Sequence, residues 1–288
     1  MAAPAEPPEI QTLRAAVDDG RLQSALTIGR RLLDTDLAPE AALQARRLLT
    51  NAAFRLGRLE EAIRTARGAI ELLVSASLHP VRFDALAVLV VAHGERCEYD
   101  ASIEALRQLL AQSSRGDSLR DQVRARGSMA SCFVLMGDPW AAQRVLSEVA
   151  RWLTGLPGDR RVEAPVHTNH AAIWMEIARL AREGGDGAAL AEAIDASAAP
   201  LERARAIAAE LGDARIAAFA DVHECEALLL RGEPQRVQAI VRDALARAED
   251  AGLSAHGRFL RQMQAEALLR DGEPEAALRM LRASEARL

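Results

Sequence analysis

Seven times along the chain a helical pattern is interrupted by a tight turn and restarts. The turn positions are Gly20, Gly57, Cys97, Gly137, Gly185, Gly232 and Gly272, at intervals of 37, 40, 40, 48, 47 and 40 residues. The clearest copy is Leu56-Gly57-Arg58-Leu59-Glu60-Glu61-Ala62-Ile63. Gly57 can adopt positive φ and close one helix. Leu59, Ala62, Ile63, Ala66, Ala69 and Ile70 then lie three and four apart along one face of the next. A period near forty with two helices in each predicts an all-α chain, an α-solenoid of about seven helix-turn-helix units. Such a face must bury against a neighbouring unit, because one helix pair cannot bury it alone.

The flanking signals divide the chain. Residues 1–9, with Pro4, Pro7 and Pro8, read as a disordered N-terminal tail, and residues 10–153 hold repeats one to four. Pro39 and Pro80 suit first turns of helices, and Ser118 is an N-capping signal. Residues 154–165, which include Thr154-Gly155-Leu156-Pro157-Gly158, read as a linker-like loop, and residues 166–288 carry repeats five to seven of the same solenoid. Pro200 inside the fifth unit should kink or restart its helix, because it lacks an N–H and crowds the preceding turn.

Composition narrows the function. Every one of the 36 basic residues is Arg, the net charge is −5, and Arg alternates with Asp and Glu instead of gathering on one helix face. That distribution argues against nucleic-acid binding, which needs a basic stripe, and the Arg and Ala usage is that of a GC-rich bacterial genome. The longest apolar stretch, Ala85 to Ala92, is too short to cross a membrane. The N-terminus lacks the basic and apolar regions of a signal peptide, so a cytoplasmic location is expected. Cys97, Cys132 and Cys225 have no metal or disulfide spacing and read as buried spectators.

The turns carry a resemblance to a known family. Gly57, Leu59, Ala62 and Ala53 stand at the turn, two after, five after and four before. Cys97, Tyr99, Ser102 and His93 repeat that pattern, as do Gly137, Pro139, Ala142 and Phe133, and Gly272, Pro274, Ala277 and Leu268. Trp174 stands eleven before Gly185, like the family's first-helix Trp. In these features the chain resembles the tetratricopeptide repeat superfamily, in particular its longer bacterial units of about forty residues. The resemblance implies a right-handed superhelix whose first helices line a concave groove for a peptide or partner helix. It implies that Arg47 and Asn51 in the second unit, Arg124, Ser128 and Ser131 in the fourth, and Glu176, Arg179 and Glu183 in the fifth face that groove. The acidic members argue against a clamp for a C-terminal carboxylate.

No catalytic apparatus is visible, and neither a metal nor a cofactor is expected. His167 and His170 could share a helix face but lack a third ligand, so the segment reads as a polar helix start after Pro165. His223, Glu224, Cys225 and Glu226 are consecutive and point in different directions. The turn Gly184 to Gly187 lacks the Gly-Lys-Ser/Thr ending of a phosphate loop. Trp140 and Trp152 are expected to pack under the fourth turn. The function expected is therefore a non-enzymatic scaffold that binds a protein or peptide. The alternative is the sensor arm of a larger bacterial signalling protein, a transcription activator or a diguanylate cyclase, whose output domain follows Leu288. The last helix ends without a Gly stop or polar cap, which would also suit a homodimer through that edge.

Overall fold

The computed structural model describes residues 7–72, 79–115, 118–153, 159–251 and 253–285. Among them are fourteen helices and no strand. They are α1 (Pro8–Asp18), α2 (Leu22–Leu33), α3 (Pro39–Arg55), α4 (Leu59–Glu71), α5 (His79–Glu95), α6 (Tyr99–Arg115), α7 (Leu119–Leu135), α8 (Pro139–Leu153), α9 (Arg160–Glu183), α10 (Gly187–Leu211), α11 (Ala214–Arg231), α12 (Pro234–Asp250), α13 (Ser254–Arg270) and α14 (Pro274–Glu285).

All seven turn residues expected from the sequence have a left-handed backbone. Gly57 stands at φ 70°, and Cys97, the one non-glycine residue of this kind among the described residues, at 59°. In both turns the same two hydrogen bonds close the helix. Gly57 N–H donates to Phe54 and Arg58 N–H to Ala53, each at 2.9 Å, while Cys97 N–H donates to Gly94 and Glu98 N–H to His93 at the same distance. This is the Schellman closure, and the residue four before the turn supplies its far carbonyl. One further left-handed glycine, Gly212 at φ 63°, ends α10. The next helix is capped by Asp213, which accepts hydrogen bonds from the N–H groups of Arg215 and Ile216.

The chain forms two compact units, Met1–Asp138 and Pro139–Leu288. In the first, α1, α3, α5 and α7 touch in succession as one layer, and α2, α4 and α6 each wedge against two of them. Ala16, Ala25, Ala45, Ala52, Ala62 and Ala66 are fully buried there, so helices approach closely while Leu13, Leu26 and Leu49 fill the space between. Each such Leu contributes on the order of 1.5–3 kcal/mol. The second unit repeats the plan, with α9, α11 and α13 as the layer and α10 and α12 wedged between its members.

Several local expectations are corrected. Pro8 and Glu9 begin α1 instead of belonging to a tail, and residues 1–6 lie outside the described residues. Of the expected loop at 154–165, residues 154–158 lie outside the described residues, while α9 already runs from Arg160 through Pro165. His167 and His170 are therefore inside a helix, not at its start. Pro200 neither breaks nor restarts α10, which is one helix of 25 residues. Pro200 is buried on a helix packed along both α9 and α11, and that packing outweighs the lost backbone hydrogen bond. The longer intervals around Gly185 thus come from two long helices, of 24 and 25 residues. Cys132 and Cys225 are buried as expected, but Cys97 is exposed in its turn.

Candidate functional site

In the second unit the layer α9, α11 and α13 borders a cavity of about 840 Å³. Phe219, Val222, His223, Glu226, Leu229 and Leu230 line it from α11, at the three and four spacing of a single helix face. Ala218, Cys225 and Leu228 of the same helix are buried. Helix α11 is thus apolar toward both its own core and the cavity. From α13 come His256, Phe259 and Met263, and Phe259 stays 53% exposed although it is a large apolar ring.

Charge frames this apolar wall. Arg179 of α9 donates through Nε to Glu226 at 2.7 Å and also binds Glu176, one turn back on its own helix. Glu226 receives His223 Nδ1 at 3.0 Å, and the His223 ring lies 4.4 Å from Phe219, edge to face. Burial works to raise the Glu226 carboxyl. The hydrogen bond from His223 and the charge of Arg179 outweigh it, and the group is held below the ordinary carboxylate range. His256 is pushed down, first by burial and then by the charges of Arg215 and His223, so it extends the apolar wall as a neutral ring at neutral pH. At the far end Arg270 binds Glu266 and the carbonyl of Leu229.

The residues expected to face a groove fall into three sets. Arg47 of α3 and Arg124 of α7 converge on one carboxylate, Asp84 of α5, at 2.8 and 2.5 Å. The Arg124 guanidinium also lies 4.8 Å from the centre of the Phe83 ring. Glu176 and Arg179 bind each other, and Arg179 and Glu183 border the cavity of the second unit. Asn51 is exposed on α3, Ser128 is half-buried, and Ser131 donates back to the Gly127 carbonyl at 3.2 Å.

The sequence reading missed Phe219, Phe259 and Met263. Their signal was present as an apolar face on α11 and α13 that adjoins the one packed into the core, with Val222, Leu229 and Met263 shared between the two. Trp140 is 48% exposed and meets the half-buried Trp174 edge to face at 6.2 Å, so it is not packed away beneath its turn. Cys225 is buried and its thiol is pushed up to about 12, mainly by burial, which leaves it protonated at neutral pH. Among the described residues no three His, Cys, Asp or Glu side chains are grouped to hold a metal ion, and no helix is long and apolar enough to cross a membrane.

No family model matches the sequence, and no curated protein matches it. Solved structures do match. The crystal structure of a tetratricopeptide repeat protein from Parabacteroides merdae covers 96% of this chain and 91% of its own, with a TM-score of 0.55 at 13% identity. The fold is that of the tetratricopeptide repeats. The apo form of RapI shares it, with a TM-score of 0.60 at 12% identity over 97% of this chain and 96% of its own. At such identities the tetratricopeptide-repeat likeness lies in the helix pairs and their turns.

Proposed function

We propose that the protein is a non-enzymatic interaction module that takes a peptide segment of a partner protein against α9, α11 and α13. The observation that carries this reading is the apolar wall of Phe219, Leu230, Phe259 and Met263, left open on a cavity of about 840 Å³. Folding alone does not favour an exposed Phe259 here, whereas a partner side chain would remove that ring from water. Arg182 and Glu183 on one side and Glu266 and Arg270 on the other present both signs of charge. The peptide favoured is one with a large apolar side chain between charged neighbours, since burial supplies affinity and the charged rim sets orientation. The solved structures of the same fold support a scaffold role by analogy.

The test is selection of a random peptide library on the full-length protein, followed by fluorescence anisotropy with the selected peptides. Phe259→Asp should weaken their binding at least tenfold while thermal unfolding stays as in the parent protein, because Phe259 is half exposed. Recovery of no peptide above background, or equal binding by Phe259→Asp, would overturn the reading.

A further inference from the structure

A separate cavity of about 790 Å³ lies within the unit Met1–Asp138, bordered by α3, α4 and the end of α5. Its charged lining is unbalanced once the internal pairs are assigned. Four guanidinium groups face it, those of Arg46, Arg64, Arg67 and Arg96, against the carboxylates of Glu60, Glu71 and Glu98. Arg96 binds both Glu60, at 2.9 Å, and Glu98, at 2.8 Å. The nearest carboxylate to Arg64 is Glu61 at 4.0 Å, and both oxygens of Glu61 are already held by Arg30. Arg96 thus takes two of the three carboxylates of the lining, which as a whole carries one more guanidinium than carboxylates, and Glu71 is the one lining carboxylate that Arg96 does not hold.

Arg46 is the sharpest of these. Among the described residues it has neither a hydrogen-bond nor an ion-pair partner, and its Nε is fully buried. A half-buried guanidinium with nothing to donate to is costly unless something else accepts from it. Room for it comes from Gly68, where a Cβ would stand 2.8 Å from Arg46 Nη1. Arg67 is held in place by His93. A guanidinium can only donate, so His93 Nε2 accepts from Arg67 Nη2 at 3.4 Å and His93 Nδ1–H donates to Glu98 at 2.6 Å. His93 is itself buried, so it is a fixed support.

We propose that this cavity binds a small, multiply charged oxyanion ligand, bearing phosphate or several carboxylates, with Arg46 and Arg67 as its principal donors and Arg64 as a third charge. Planar guanidinium groups match both kinds of oxyanion, and the volume falls within the roughly 300–1,000 Å³ of small-molecule sites. Ile63 and Leu72 supply an apolar border.

Isothermal titration calorimetry on the full-length protein at low salt, with sodium pyrophosphate and with sodium citrate, distinguishes the two sources. Saturable binding of one of them is expected, with at least a tenfold loss of affinity in both Arg46→Gln and Arg67→Gln. Arg67 is exposed, so its variant should keep the parent's thermal unfolding and stands as the readout if Arg46→Gln folds poorly. Gly68→Ala, which crowds Arg46, should also weaken binding. Absence of heat from both anions at millimolar concentration, or unchanged affinity in Arg67→Gln, would overturn the proposal.

Discussion

Arg47 and Asp84 are 37 residues apart in the chain and 2.8 Å apart in the fold. The pair links the first helix of the second repeat to that of the third, and Arg124 extends it to the fourth through the other oxygen of Asp84. Arg47, expected from the sequence to meet a ligand, already has a partner within the protein. Both side chains remain partly exposed, so Arg47→Ala should cost less than about 1 kcal/mol, Asp84 keeping its bond to Arg124. Asp84→Asn should cost more, because it weakens both contacts at once. Urea denaturation of the two variants and their double mutant checks the order. A larger loss for Arg47→Ala would contradict it.

Ala62 is fully buried where α4 packs between α3 and α5. Ala62→Glu places a carboxylate in that contact with no partner designed for it, and the expected loss is on the order of 3 kcal/mol or more. Hydrogen exchange should show the damage first in α3, α4 and α5. Thermal unfolding equal to the parent's would mean that the helix contact is not as described.

Cys97 adopts φ 59° without the steric freedom of glycine, at a position that is exposed and makes the same turn as Gly57. A left-handed L-residue costs roughly 1–2 kcal/mol, part of which glycine returns as lost unfolded-state entropy. Cys97→Gly should stabilise the protein by about 0.5–1 kcal/mol in urea denaturation, whereas Cys97→Val should destabilise it. A destabilised Cys97→Gly protein would show that the thiol has a role beyond the turn.

His170, in the middle of α9, is pushed from the ordinary 6.5 down to about 4, first by burial and then by the charge of His167. His167 is lowered as well, mainly by burial. The unfolded chain takes up these protons near 6.5 and the folded chain only at lower pH. Between about 6.5 and 4 the unfolded state therefore binds more protons, and stability falls as pH falls. The contribution of His170 is at most ~1.4 kcal/mol per pH unit before solvent screening. His170→Gln should flatten the dependence of the unfolding midpoint on pH across this window. An unchanged profile would mean that His170 is protonated in the folded protein.

The helix pairs were legible in the sequence because turns are local. A left-handed backbone selects Gly at the turn, and helical spacing of Leu and Ala marks the faces that pack. Even Cys97 was placed at its turn by period alone. The long helices α9 and α10 were read less well, since Pro165 and Pro200 look like stops to any local rule. Pro200 is buried while Pro165 is exposed, and it is the packing of α9 and α10 against each other and against α11 that overrules that rule. Arg47, Arg124 and Arg179 lie on α3, α7 and α9, but the partners they find across repeats were hidden. Asp84 and Glu226 belong to neighbouring repeats, and no local pattern couples residues 37, 40 or 47 positions apart.

By itself the sequence determined the repeating helix-turn-helix unit, its period and its turns, because these depend on φ at one residue and on side-chain spacing within one helix. The tertiary structure decided which charges on adjacent first helices neutralise one another and which, like Arg46, are left without a partner. It also decided that Phe259 and Phe219 would border an open cavity. Those outcomes depend on the distance and rotation between neighbouring helices, which are set by packing of the whole layer and not by any one segment of the chain.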